Sequence, residues 1–335
     1  MKKGNVAIFV PHLGCPNMCS FCNQRTITSQ VSLPDEKDVV DAIMTAKNTA
    51  ENTSDMEIAF FGGSFTAIER SYMVSLLKTA YKFVANGDFH GIRISTRPDC
   101  IDDEVLSILK EYGVTAVELG AQSMDDDVLK KNMRGHTADD VVKASKKIKQ
   151  YGFSLGLQMM TGLFGSSAEK DIQTAEKIIS LSPDTVRIYP TVVLKGTYLG
   201  ELFLNGTYKP MTLDETVELC AKILPMFREN NINVIRLGLH SSREVEENFL
   251  AGGYHCALGE LVESKIMLDI ASKKLQNINN GEITIFVSPS NISKMTGQHR
   301  ANINALAELG YKAKIKGDAS LGKYDLRIEN GFKNA

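Results

Sequence analysis

Between residues 5 and 190, short apolar runs alternate with longer stretches in which apolar residues recur every three or four positions, the signature of strands followed by amphipathic helices. Strands are expected at 7–10, 57–61, 91–95, 116–119, 155–159 and 185–189, and helices at 36–49, 72–84, 103–112, 138–151 and 168–180. Asp102 or Asp103, Thr137 and Ser167 stand where helix N-caps belong. Repeated strand-helix units imply an α/β protein with a parallel sheet. Beyond them the pattern gives a long helix at 212–230, a further strand and its exit at 234–240, and a glycine-rich turn at 252–260 before another helix. The end of the chain changes character: a strand at 282–287, one or two helices over 292–309 broken near Thr296 and Gly297, and strands at 311–316 and 325–328. This order predicts three parts: a core with its extension at 1–255, a connecting helix at 256–280 and a small α+β module at 281–335.

Composition narrows the partners. The 335 residues are 43% hydrophobic, enough for a sizeable core. The 38 basic and 40 acidic residues leave a net charge of −2, which gives no overall electrostatic footprint for nucleic acid or an anionic membrane. The opening MKKGNVAIFVPHLG lacks a signal-peptide cleavage pattern, and no apolar stretch is long enough to span a bilayer. Six cysteines without disulfide-scaffold density fit a reducing cytoplasm. Oligomeric state leaves no mark in the sequence.

Candidate chemistry gathers in residues 15–22 (CPNMCSFC), where Cys15, Cys19 and Cys22 follow the apolar run 5–10, read as a buried strand. Pro11, Gly14 and Pro16 put these thiols on a loop at the strand's carboxyl end, where barrels hold their chemistry. Thiolates suit zinc or iron in a cluster. Zinc sites take four ligands, commonly as two pairs, and no second pair is present; Cys100, Cys220 and Cys256 stand singly and read as buried small hydrophobes. A cubane cluster takes four cysteines, so three leave one iron open to a small molecule.

The CxxxCxxC spacing, with Phe21 directly before the last cysteine, resembles the signature of the radical SAM superfamily. The resemblance implies a partial (β/α)6 TIM-like barrel, a [4Fe-4S] cluster on Cys15, Cys19 and Cys22, and S-adenosylmethionine chelating the open iron. It further implies an electron donor such as flavodoxin or ferredoxin and reductive cleavage to a 5'-deoxyadenosyl radical, with Phe21 beside the adenine. Gly62 and Gly63 stand where the family receives the amino group of S-adenosylmethionine on the backbone, although Ser64 replaces the commoner glutamate. The segments around Gln122 and Arg134 resemble oxygen-independent coproporphyrinogen oxidases, in which a glutamine and an arginine twelve residues later contact S-adenosylmethionine. Gln158 takes the place of an aspartate on the ribose. The text around Tyr189 and Lys195 resembles the catalytic subunit of the elongator complex, making both candidate substrate-side residues. His240, His255 and Glu260 come late in the chain, where relatives close the barrel, and His255 is a further catalytic candidate. The elongator acetyltransferase is not expected, since no acetyl-CoA phosphate loop is found.

In the tail, Thr296-Gly297-Gln298-His299-Arg300 resembles the GxxG loop of KH domains without its second glycine, and Lys294, His299, Arg300, Lys312, Lys314 and Lys316 concentrate positive charge. A solvated basic face is the alternative to an RNA site. Three functions follow: a radical SAM enzyme acting on RNA, favoured as a transfer RNA base; the same chemistry on a small-molecule or cofactor precursor; and a non-catalytic iron-sulfur protein that binds RNA or senses redox state.

Overall fold

The computed structural model describes residues 4–10, 19–22 and 33–331. The chain divides into two compact units, one of Met1–Thr212 with Met226–Tyr254 and one of Leu213–Pro225 with His255–Ala335.

The first unit is built on a curled, half-barrel sheet. Its strands are β1 (Asn5–Val10), β2 (Glu57–Gly62), β3 (Gly91–Thr96), β4 (Val114–Gln122), β5 (Ser154–Thr161) and β6 (Thr185–Pro190), in that spatial order, followed by a later strand, Asn233–Leu237. Every neighbouring pair is parallel. The sheet thus has seven strands where six were expected, because the segment after the sixth adds itself to the open edge. The crossovers are α1 (Glu36–Thr49), α2 (Arg70–Ala85), α3 (Asp103–Glu111), α4 (Asp126–Lys131), α5 (Ala138–Gln150) and α6 (Ala168–Ser180). Asp102, Thr137 and Ser167 cap their helices as the sequence predicts, each side chain accepting a backbone N–H of the first turn.

Strand alternation decides what each face of the sheet carries. Ile58, Phe60, Ile92, Ile94, Val117, Leu119, Leu155, Leu157, Val186 and Ile188 are buried, forming the apolar face against the helices. The alternate positions carry Glu57, Arg93, Glu118, Gln158, Arg187 and Tyr189. β1 is an edge strand, so Asn5, Ala7 and Phe9 are exposed and the run is half-buried rather than buried. After β6 come β7 (Val192–Leu194), α7 (Tyr198–Leu204) and α8 (Leu213–Glu229), then β8 (Asn233–Leu237), α9 (Arg243–Asn248) and β9 (Phe249–Gly252); β7 and β9 pair antiparallel.

The second unit contains α10 (Leu258–Leu275), β10 (Gly281–Val287), α11 (Ile292–Thr296), α12 (Ala301–Glu308), β11 (Tyr311–Gly317) and β12 (Leu326–Asn330). β10 lies centrally, parallel to β11 and antiparallel to β12. Met267, Ala271 and Leu275 of α10 share one core with Ile283, Ile285, Val287, Met295, Leu306 and Leu326. Of the scattered cysteines, Cys220 is buried as expected, whereas Cys100 is half-buried and Cys256 exposed: Cys100 ends a short 3-10 helix after β3 and Cys256 lies in the turn before α10. Among the described residues no helix is long and apolar enough to cross a membrane.

Candidate active site at the carboxyl ends of the strands

Cys15 lies outside the described residues. Cys19 is buried and Cys22 half-buried, and the Cys22 N–H donates to the Cys19 carbonyl at 3.1 Å. Ser20 between them is tied down on two sides. Its N–H donates to the Asn132 carbonyl (3.1 Å) and its hydroxyl to Asn132 Oδ1 (2.7 Å), while Leu199 of α7 donates to its carbonyl (2.7 Å). Asn132 is itself fixed by amide donation to the Val128 and Phe164 carbonyls. Phe21 and Tyr189 both pack against the cluster of Val128, Met160 and Leu163, an apolar wall next to Cys22.

Arg134 connects this segment to the sheet. Its Nη1 donates to Cys19 Sγ at 3.0 Å, its Nη2 to the Gly120 carbonyl at 2.7 Å, and its guanidinium lies 5.9 Å from the centre of the Phe21 ring. Arg97, just past β3, donates to the Arg134 carbonyl and holds Asp99 through two parallel bonds of 2.9 Å. β4 ends in an irregularity between Gly120 and Gln122, which leaves Gln122 at φ 65, a left-handed conformation unfavourable for a side-chain-bearing residue. Arg97 Nη1, Gln122 Oε1 and Arg134 Nε are buried with no hydrogen-bond partner among the described residues. Buried polar atoms are seldom left so, and clustered orphans of both signs fit a polar ligand. His136 Nε2 faces the Ala121 carbonyl at 3.2 Å; burial, then Arg134, pushes its imidazole down to about 4.

Gly62 has φ +109, and a Cβ there would stand 2.7 Å from the Val10 carbonyl oxygen, so only glycine lets this turn close on β1. The Gly63 N–H donates to that oxygen at 2.9 Å. Ser64 is buried, its hydroxyl 2.8 Å from Thr96 Oγ1 and accepting from the Arg97 N–H at 3.2 Å, which joins the glycine turn to the end of β3.

Below this rim, the charged face of the sheet forms a continuous ion network. Glu57 accepts from Arg93 Nη2 (2.7 Å), Arg93 Nη1 reaches Glu118 (3.2 Å), and Arg187 grips Glu118 through Nε (2.7 Å) and Nη2 (3.0 Å). Gln158 Nε2 donates to Glu118 at 3.0 Å. Burial opposes the charge on Glu118, but Arg187 and Arg93 outweigh it and hold the carboxyl below its ordinary range. Tyr189 is pushed up, chiefly by burial. Arg187 also stacks 5.3 Å from the centre of the Phe61 ring. The sequence reading missed this network; its signal was a charged residue in each of four apolar strands, at the positions facing away from the helices.

Lys195 is exposed beyond β7, its N–H donating to the Asn248 carbonyl. His255 belongs to the second unit, where its Nδ1 accepts from the Ala257 N–H at 3.0 Å just ahead of α10.

The family model described as the radical SAM superfamily matches residues 9–178, just over half of the chain. The chain belongs to the radical SAM superfamily of enzymes. A model described as the radical SAM C-terminal domain matches residues 183–267. This radical SAM chain is 28% identical over 239 residues to a tRNA uridine(34) acetyltransferase of Dehalococcoides mccartyi, covering 61% of the chain and 52% of that protein. It is 31% identical over 200 residues to human Elongator complex protein 3, covering 54% and 37%. The structure of an archaeal Elp3 from Methanocaldococcus infernus, lacking its N-terminus, superposes with a TM-score of 0.63 at 24% identity, over 82% of this chain and 64% of that one; the likeness establishes the fold. The chain spans about half or less of the two curated relatives.

Proposed function

We propose that Cys15, Cys19 and Cys22 hold a [4Fe-4S] cluster, that Gln122, Arg134 and Arg97 bind S-adenosylmethionine beside it, and that the enzyme modifies RNA, with a transfer RNA base as substrate. The cofactor reading is carried by one observation: Arg134 contacts Cys19 Sγ inside a cluster of buried polar atoms without partners among the described residues. The substrate reading is supported by relatives named for tRNA uridine(34). When bound, the cluster and S-adenosylmethionine supply one-electron cleavage of a sulfonium and a carbon radical that takes a hydrogen atom, chemistry that belongs to the cofactors.

The chain's own residues bind, orient and exclude water. Arg134 donates to the Cys19 sulfur and, with Arg97, offers N–H groups to a carboxylate. Gln122 Oε1 accepts from a ligand N–H or hydroxyl. Gly62 and Gly63 bring their turn close to β1 and leave room for a ligand amine at their carbonyls. Phe21, with Met160 and Leu163, gives the adenine an apolar wall. Gln158, whose nitrogen is committed to Glu118, offers its oxygen to the ribose. Tyr189, near the carboxyl end of β6, is the first substrate-side candidate, with Lys195 and His255 the others. A small reductant protein such as flavodoxin or ferredoxin supplies the electron, in the cytoplasm. Acetyl transfer is not carried over from relatives that share only part of their length.

Anaerobic reconstitution should yield about four irons per chain and 5'-deoxyadenosine under reduction, both lost in Cys19→Ala. A Cys19→Ala protein that retains both overturns the cofactor reading. For the substrate, the modified nucleosides of total tRNA are compared between a deletion strain and its parent. One missing or precursor nucleoside is expected, and identical profiles overturn the RNA reading.

A further inference from the structure

We propose that the second unit carries a binding groove for a single-stranded nucleic acid, between α11–α12 and the outer edge of β11. The groove has a volume of about 660 Å³. Its floor is aliphatic, made by Ile292, Ile303, Ala307 and Ile315, and its sides are Arg300 on one hand and Lys312 and Lys314 on the other. Ile292 is 37% exposed, so part of this floor is open to solvent.

The charge is local and one-sided. Residues 292–316 contain Lys294, Arg300, Lys312, Lys314 and Lys316 against a single carboxylate, Glu308, in a chain whose net charge is −2. Lys312 pairs with Glu282 at 2.9 Å, an exposed contact worth little. Lys294, Arg300, Lys314 and Lys316 make no ion pair among the described residues. Lys312, Lys314 and Lys316 alternate along an extended strand, about 6.6 Å apart at strand rise. A row of cations along a line complements an extended phosphodiester chain better than a compact anion.

The backbone adds a second kind of recognition. Among the described residues β11 has β10 on one side and no strand on the other, so its outer edge faces the groove and can meet the polar edges of bases, while the aliphatic floor takes their faces. Unstacked bases present both; a duplex hides them. A peptide strand added to the same edge is the rival occupant. Lysines along an edge strand oppose such pairing, and the unpaired cations favour a polyanion. Gly297 has φ +80, and a Cβ there would meet the Asn302 nitrogen at 2.7 Å; the Arg300 N–H is bonded to the Gly297 carbonyl. The turn closes through this bond, and the binding elements are the side chains and the strand edge. The groove goes beyond the function proposed above and does not rest on it.

The test is fluorescence anisotropy of the full-length reconstituted protein with short labelled single-stranded RNA and DNA, and with the matching RNA duplex, across a salt series. Wild type should bind the single strands and discriminate against the duplex. Arg300→Gln with Lys314→Gln should weaken binding about tenfold and reduce the slope of log affinity against log salt by about 0.7 for each cation removed. Ile303→Ala should weaken binding with the slope unchanged, and Lys265→Gln, the same charge change outside the groove, should do neither. Circular dichroism melting confirms that each variant is folded. No binding by wild type, equal binding of the duplex, an unchanged double variant, or displacement of the oligonucleotide by an acidic peptide overturns the proposal. tRNA modification would fail through the nucleoside profile instead, so the two failures are distinguishable.

Discussion

Gln122 bears two costs at once: a left-handed backbone and a buried oxygen without a partner among the described residues. Neither is repaid by packing, which is why a ligand is assigned to it. Gln122→Ala should weaken S-adenosylmethionine binding about tenfold, the worth of one well-made hydrogen bond, with the iron content of the reconstituted protein unchanged. Unchanged affinity in equilibrium dialysis removes Gln122 from the site. Asp171, at the start of α6, gives a prediction independent of any cofactor. Burial pushes its carboxyl up to about 6, against donation from the Ser166 hydroxyl and the Gly162 N–H. A carboxyl whose folded pKa lies above its unfolded value keeps its proton longer in the folded state, so its contribution to stability falls as pH rises from about 4 to about 6. Asp171→Asn removes that loss. The variant should gain ~2–3 kcal/mol relative to wild type between pH 4 and pH 7 in urea unfolding, and a difference independent of pH contradicts the assignment. His136 works in the opposite sense: its depressed imidazole gives stability that is present above about 6.5 and lost as pH falls towards 4. The structure brings the Gln122 and Arg134 side chains together at Gly120, and both were singled out in the sequence by their spacing. Arg97 was not, because Arg97-Pro98-Asp99 reads as a polar turn and only its bond to the Arg134 carbonyl brings it to the site.

The strands were legible because their helix-facing residues are apolar without interruption, from Ile58 and Phe60 on β2 to Val186 and Ile188 on β6. Their ends were read short by one to three residues, most on β4, where Val114 and Gln122 lie outside the apolar run that marked it. β7 and β9 escaped detection because strands of three and four residues are too short to show alternation. The inner face was missed for a different reason: its charges neutralise one another across strands distant in sequence, so each looks like an isolated polar residue. Glu118 is the keystone, accepting from Arg93, Arg187 and Gln158. Glu118→Ala leaves the part-buried Arg187 guanidinium without its carboxylate and Arg93 with Glu57 alone, and removing one partner of a buried pair typically costs about 3–5 kcal/mol. The melting temperature should fall by several degrees, and Glu118→Gln, which keeps hydrogen bonding but not charge, should fall less. An unchanged melting temperature in Glu118→Ala shows that the network is solvated in solution.

At the scale of the whole chain, the pattern revealed a change of character near residue 281, but the second unit begins to assemble before that point. α10 is apolar around much of its circumference, and Met267, Ala271 and Leu275 are at most 2% exposed in a core shared with β10 and α12. A helix read as a connector is thus a wall of the module it precedes, while Leu213–Pro225 of α8 also belongs to that unit and the rest of the helix to the other. Sequence periodicity shows that a helix has an apolar face, not which neighbour covers it. Deleting residues 281–335 should therefore do more than remove the basic groove. It uncovers Met267 and Leu275, whose burial is worth roughly 1.5–3 kcal/mol each, a substantial fraction of the 5–15 kcal/mol that typically stabilises a folded domain. The truncated chain should bind a hydrophobic dye, elute as aggregate in size exclusion and melt at a lower temperature than the full-length protein. A truncated chain that stays monomeric and melts unchanged would mean that α10 finds its cover elsewhere, and that residues 281–335 form a separable module.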